Sequence, residues 1–398
     1  MIFRHYWSVI AGSTSAHVQP LPRKGMLLAC IALGLLAPTP ALAHVKWFTD
    51  PAKFPLRTDL ILSERTLLWI VSSALTVLAL ALLQRRLGSA QWPRLPIFDR
   101  MAQGGPTILA VQAAIPLIAA AAQWRLLVPN LALPHGPGGL ALAALEAAIA
   151  FTFVTGIADW VGAIALIALL PLALTIAAPL DVLDHVLWVG IGIVVLVIGR
   201  GSAAGHRARP WFWRRDPAWS DRAVACLRVA TGVALIATAL DEKLLNPELG
   251  RAFMANHADF NVFHTLFGTD VVSNDLFVLM IGLTEAAIGA ALVSGRLTRL
   301  VVLGAWLPFH LGIPLLPSQE LIGHLPIFGI MYVLLVHRGR VSAAAPAELQ
   351  AAVGRLSRAP RRPVAIAARP RHMLHTRRRS VQVGFPTQRT ESAQRVLR

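Results

Sequence analysis

Apolar residues run through this chain in long unbroken blocks, without the every-second or every-third-and-fourth spacing of a half-buried strand or helix. Nine blocks, at residues 65–83, 106–123, 140–157, 161–179, 183–199, 223–241, 276–294, 299–316 and 321–337, are long enough or nearly so to cross a hydrocarbon core, which takes about 20 helical residues. The pattern predicts an all-α membrane protein with nine transmembrane helices. A shorter block, Met26 to Leu36, follows Arg23 and Lys24 and precedes Ala41-Leu42-Ala43, the layout of a cleaved secretory leader. Residues 1–43 are therefore expected to be a signal peptide with an N-terminal extension, Met26 being an alternative start. Cleavage after Ala43 makes His44 the first residue of an external segment, 44–64.

Composition supports this picture. Of 398 residues 56% are apolar and only 14% charged, against about 25% charged in ordinary soluble domains, which excludes a soluble globular protein. The formal charge of +17 is concentrated at the C-terminal end, where 14 basic residues and two acids follow Val336. It describes a tail and does not indicate nucleic-acid binding. That tail, 339–398, is rich in Arg, Ala and Pro and is expected to be disordered and cytoplasmic, or drawn to anionic lipid at about 1 kcal/mol per basic residue. The two cysteines, Cys30 and Cys226, form neither a CxxC pair nor a disulfide framework.

Charge also orients the chain. Threading the first span inward gathers Arg85, Arg86, Arg94, Arg100, then the arginines of the linker 201–222, then Arg296, Arg299 and the tail on one side, while residues 241–275 hold six acids against two bases. The positive-inside rule then puts the N-terminus outside and the C-terminus in the cytoplasm of a bacterial inner membrane. Trp92, Trp124, Trp160, Trp211, Trp213 and Trp219 fall at span ends, as interfacial anchors do.

Self-comparison finds a duplication. Val111 to Pro129 matches Val229 to Pro247 at an offset of 118, and Glu146-Ala147-Ala148-Ile149 with Val154-Thr155-Gly156 matches Glu285-Ala286-Ala287-Ile288 with Val293-Ser294-Gly295 at 139. Leu170-Pro171 then matches Leu307-Pro308, and His185 with Gly190-Ile191 matches His324 with Gly329-Ile330. The expected architecture is one lone helix, 65–83, followed by two tandem parallel four-helix units, 106–200 and 223–338, with the working site near the repeat interface.

Ionisable residues within the spans single out chemistry, since each costs about 2.5–3.5 kcal/mol to insert mid-helix. Glu285 is expected roughly 13 Å deep, His310 roughly 9 Å and His324 about 5 Å, with Lys243 at the same end, so the four could line one outward cavity. Glu146, Arg125 and His185 repeat the set in the first unit, where Ala173 replaces His310. Two chemistries compete here. One is structural, with ion pairs Glu285–Lys243 and Glu146–Arg125 fixing helix packing. The other is a proton-coupled quinol site in which carboxylate and imidazole accept the two protons. Pro308, two residues before His310, is expected to bend its helix toward that cavity. The amine and imidazole of a mature His44 could chelate copper, with His135, His257 and His264 on the same side.

Leu227-Arg228-Val229 with Gly232 and Lys243, then Glu285, Gly289 and Gly295-Arg296-Leu297-Thr298-Arg299, resemble the DoxX-like family of four-helix bacterial membrane proteins over roughly 222–338. The first unit looks like a diverged copy. The resemblance implies a redox-linked membrane role, beside a thiosulfate:quinone oxidoreductase, a quinol oxidase or complexes handling sulfur or oxidative stress. The lack of a thiol pair, the fused first unit and the lone helix depart from the family. The expectation is a quinol-interacting subunit in contact with membrane lipid and with a membrane or periplasmic redox partner carrying the electrons. A copper-handling protein and a non-catalytic scaffold are the alternatives.

Overall fold

The computed structural model describes residues 45–200, 217–261, 263–264, 272–311 and 318–337. The leader, His44, most of the linker and the tail lie outside the described residues, as do the side chains of Leu307 and Pro308. Nearly every apolar block carries a helix, and the ends follow local chemistry. Helix α1 is Glu64–Leu87, α2 is Pro96–Met101, and α3 is Gly105–Ala122. Next come α4, Pro137–Thr155, and α5, Asp159–Ala173. A short helix α6, Pro179–Leu183, precedes the block 183–199, which carries α7, Leu187–Ile198. Beyond the linker lie α8, Pro217–Ala239, α9, Pro247–Asn256, and α10, Asn274–Ser294. The last two are α11, Thr298–Leu311, and α12, Ser318–Val336.

Helices α4 and α10 end in matching fashion, on Gly156 at φ +73° and Gly295 at φ +69°. A left-handed residue after the last turn satisfies orphan carbonyls, and glycine reaches that conformation without steric cost. Between α3 and α4 the chain departs from helix. Arg125–Leu126 (β1) pairs antiparallel with Val128–Ala132 (β2), and Trp124 and Leu127 at φ +55° and +65° make the corner.

Among the described residues six segments are long and apolar enough to cross a membrane: Glu64–Leu87, Pro96–Ala122, Pro137–Thr155, Pro179–Ile198, Ala218–Leu244 and Asn274–Ser294. Asp159–Ala173 and Leu321–Val336 are shorter apolar helices. The surface of the described residues suits contact with lipid. Helix α1 exposes Leu67, Leu68, Ile70, Val71, Leu75, Leu78 and Leu82, while α4 and α5 expose Phe151, Ile164 and Leu172. Apolar faces that large are untenable in water and ordinary against lipid tails. The protein is helical and of the multi-pass membrane class.

Packing runs around a ring. Helix α3 lies along α4, α4 along α5, α5 along α7 and α7 along α8; α8 then meets α10, which meets α11, then α12, which returns to α3. Helix α1 stands outside, against α10. Leu109, Leu117, Phe153, Leu166, Trp188, Leu227 and Phe277 fill the interior. Small residues allow the closest crossing: a Cβ on Gly232 of α8 would sit 2.6 Å from the Gly289 carbonyl oxygen of α10, and the reverse distance is the same.

The segment before α1 was expected to be external, and nothing more. It forms short 3-10 turns at Val45–Trp47, Pro51–Lys53 and Thr58–Leu62 and lies across one end of the ring as a strap. Val45 and Lys46 are buried, Phe54 accepts a hydrogen bond from Asn246 Nδ2, and Arg57 N–H donates to Leu245 O.

Candidate functional site

The site is built around a change of helical pitch. At the end of α8, Leu240–Leu244 winds as a π-helical turn, closed by Leu245 N–H donating to Leu240 O at 2.8 Å. Asp241, Glu242, Lys243 and Leu244 in this wider turn are all buried. Opposite them Gly282 on α10 has no Cβ, leaving room for the Lys243 stem, and one turn deeper stands Glu285. Lys243 Nζ lies 2.9 Å from Glu285 Oε2 and 3.1 Å from Glu242 Oε2. One ammonium is thus held between two buried carboxylates, and the sequence-predicted pair Glu285–Lys243 is formed.

The strap completes the array. Val45 N–H donates to Glu242 Oε2 at 2.9 Å. Lys46 Nζ reaches Asp181 Oδ1 at 2.5 Å, Asp184 Oδ2 at 3.5 Å and Asp241, so it joins the α6 region to the α8 end. Burial works against the charge on Lys46, but Asp184, Asp241, Glu242 and the hydrogen bond to Asp181 outweigh it and hold the ammonium well above the ordinary lysine range. Lys46, Asp181, Asp184, Asp241 and Glu242 were not singled out from the sequence. Their signal was the placement of charges directly against apolar block ends, Asp181-Val182-Leu183-Asp184 and Asp241-Glu242-Lys243.

His310 and His324 sit in aromatic surroundings, and neither lines the cavity at Lys243. The Trp47 ring fills the place a side chain at Gly323 would need and meets His324 edge-on at 5.8 Å between centroids. His324 and His310 both stack on Phe328, at 6.0 and 4.5 Å, and His310 Nδ1 is 2.7 Å from the Trp306 carbonyl oxygen. His185 Nδ1 lies 2.9 Å from Asp184 Oδ1. The two second-unit histidines therefore share one aromatic cluster, while His185 belongs to the carboxylate cluster around Lys46.

The first-unit pair is corrected. Glu146 does not meet Arg125; it accepts the Leu127 N–H at 2.6 Å, and half-buried Arg125 borders a cavity with Gln123, Leu127 and Ile322. The cause is the hairpin: where α8 continues to Lys243, the matching chain has already turned at Trp124, and a main-chain donor replaces the ammonium.

The remaining motif residues lie at the opposite end. Arg228 donates to the carbonyls of Leu292 and, at 3.0 Å, Val293, next to Gly295. Arg299 donates to Gln91 O, Pro93 O and His337 O. Arg228 thus binds carbonyls at the end of α10, and Arg299 ties the loop after α1 to the end of α12.

The cavities here are small. One of about 10 Å³, lined by Val45, Lys243, Gly250, Phe253, Met254, Phe260, Val278 and Ile281, adjoins the ion array. Another, of about 20 Å³, lies by Arg125. Among the described residues no group of three His, Cys, Asp or Glu side chains is arranged to hold a metal ion. The copper expectation rested on His44, outside the described residues, and His257 packs on Phe48 and Phe253. No protein-family model matches the chain, and no curated protein or solved structure matches it either.

Proposed function

We propose that this is a redox-associated integral membrane protein of the DoxX-like type, acting as a quinol-interacting subunit of a membrane oxidoreductase complex. One observation carries the reading: Glu242, Lys243 and Glu285 touch inside a bundle of membrane-spanning helices. Ionisable groups at such depth are retained where they handle ions, protons or substrates. A carboxylate steadied by an ammonium can accept a quinol proton, and a neutral imidazole such as His310 or His324 can accept the other. The electron carrier then belongs to a partner subunit.

The wider architecture belongs to the same proposal. Two tandem parallel four-helix units, 106–200 and 223–338, are supported by matching neighbours: α3 meets α4 and α12 as α8 meets α10 and α7, and α5 meets α7 as α11 meets α12. With α1 these make nine spans. The end carrying Arg228, Arg299 and His337 is the arginine-rich one, which favours a cytoplasmic C-terminus and an external strap.

A scaffold role is the second reading, favoured by the closed packing: about 10 Å³ beside Lys243 holds one water at most, whereas ligand pockets run to hundreds of Å³. Purification in mild detergent followed by quinone extraction separates the two. Glu285→Gln and His310→Asn should accumulate in the membrane yet lose retained quinone and the redox phenotype of a deletion, with Glu146→Gln milder. Full quinone retention and activity in both second-unit variants would leave the scaffold.

A further inference from the structure

We infer that the strap residues Val45–Trp47 are a lid over the Glu242–Lys243–Glu285 site and that Lys46 is the pin that holds it shut. The inference rests on that site being the working one. Val45 is part of the wall of the cavity at Lys243, and its N–H occupies Glu242. Withdrawing it would expose Lys243 and merge that cavity with the space Val45 leaves. What then opens is a pocket walled by Phe253, Met254, Phe260, Val278 and Ile281 with charged groups at its base. That chemistry suits a molecule with an apolar body and a hydrogen-bonding head, the quinol class. In the closed state the strap supplies both functions itself, Val45 as the apolar body and its N–H as the donor.

The fastening is ionic and reaches two parts of the ring. Lys46 takes Asp181 and Asp184 from the α6 region and Asp241 from the π turn, and its side chain is only 3% exposed. Trp47 on Gly323 is the second hold, and it connects the lid to His324. Beyond Trp47 the strap has a fixed hinge region: Phe54 and Arg57 are bonded to Asn246, Leu245 and Glu248, so residues 45–47 can swing while the rest stays docked.

Cysteine accessibility tests this on the full chain. In a background carrying Cys30→Ser and Cys226→Ser, Met254→Cys places a thiol in the cavity wall and Ser273→Cys an exposed control. The purified protein in mild detergent is treated with a charged, membrane-impermeant maleimide. The lid requires slow labelling at position 254 with Lys46 present and labelling about tenfold faster with Lys46→Met, the control being equal in both, because access then follows the opening equilibrium. If Lys46→Met does not accumulate, Asp241→Asn, which leaves the pin two carboxylates, should accelerate labelling by a smaller factor. Equal rates with and without the pin, or rates that change in parallel at 273, would overturn the lid. Labelling reads access alone, so a failed lid and a failed quinol site are told apart by the separate quinone measurement.

Discussion

Gly232 and Gly289 face each other across the α8–α10 crossing so closely that a methyl group on either would lie 2.6 Å from the other's carbonyl oxygen. This contact sets the spacing at which Lys243 and Glu285, farther along the same two helices, meet at 2.9 Å. Gly232→Ala and Gly289→Ala should each lower stability by about 1–3 kcal/mol, the usual cost of overpacking, because neither backbone can yield without moving its helix. Thermal unfolding in detergent checks this, and Gly138→Ala, at an open position, is the control that should change little.

Lys243 is shared between two carboxylates, and this makes its removal worse than the removal of either. Glu285→Gln leaves the ammonium with Glu242 and a neutral acceptor, so the loss should be about 1.5–3 kcal/mol, as for a hydrogen bond to a charged group. Lys243→Met leaves two buried carboxylates facing each other, and about 3–5 kcal/mol is expected. The double variant should be less damaging than the sum of the singles, since the groups share one network. Membrane accumulation and detergent unfolding of the three proteins give the ordering, and a Glu285→Gln variant less stable than Lys243→Met would refute it.

The helices were legible because lipid imposes a strong and simple pattern: a span must be apolar all round and about 20 residues long. The pair Glu285–Lys243 was legible for a related reason, since a charge inside such a block demands a partner. Local geometry was not. The π turn in which Asp241 and Glu242 lie buried depends on what packs against it, and no residue preference in Leu240–Leu244 announces it. The repeat that matches Arg125 to Lys243 placed Arg125 beside Glu146, and the hairpin removes that contact. Lys46 was not legible because a single lysine outside the long apolar blocks resembles any solvated one. Its burial follows from three aspartates far away in sequence, on Asp181, Asp184 and Asp241.

The corrected environment of Glu146 leads to a mild phenotype. Its visible bond is the one it accepts from the Leu127 N–H at 2.6 Å, and a glutamine carbonyl accepts equally well. Glu146→Gln should therefore cost no more than about 1 kcal/mol, whereas Glu146→Leu strands a buried main-chain donor at about 1–3 kcal/mol. Arg125→Gln should be close to neutral, because no ion pair is broken. A large loss in Arg125→Gln, matched by Glu146→Gln, would restore the ion pair that the hairpin excludes.

Lys46 gives the strap a defined response to pH. Its pKa is raised on folding, chiefly by Asp184, Asp241, Glu242 and the bond to Asp181 acting against burial. A group raised in this way contributes stability that is fully present below its unfolded value, about 10.4 for lysine, and is lost only as pH climbs above that toward the folded value. The ammonium itself therefore keeps the strap docked through neutral and mildly alkaline solution. Amide hydrogen exchange of a peptide covering residues 45–63, corrected for the intrinsic rate, should show protection that is flat from about pH 7 to 10 and falls beyond. Lys46→Met should remove most of that protection at every pH, because three carboxylates are left without their cation. A wild-type strap that loosens between about pH 7 and 9 would mean that a group other than Lys46 holds it.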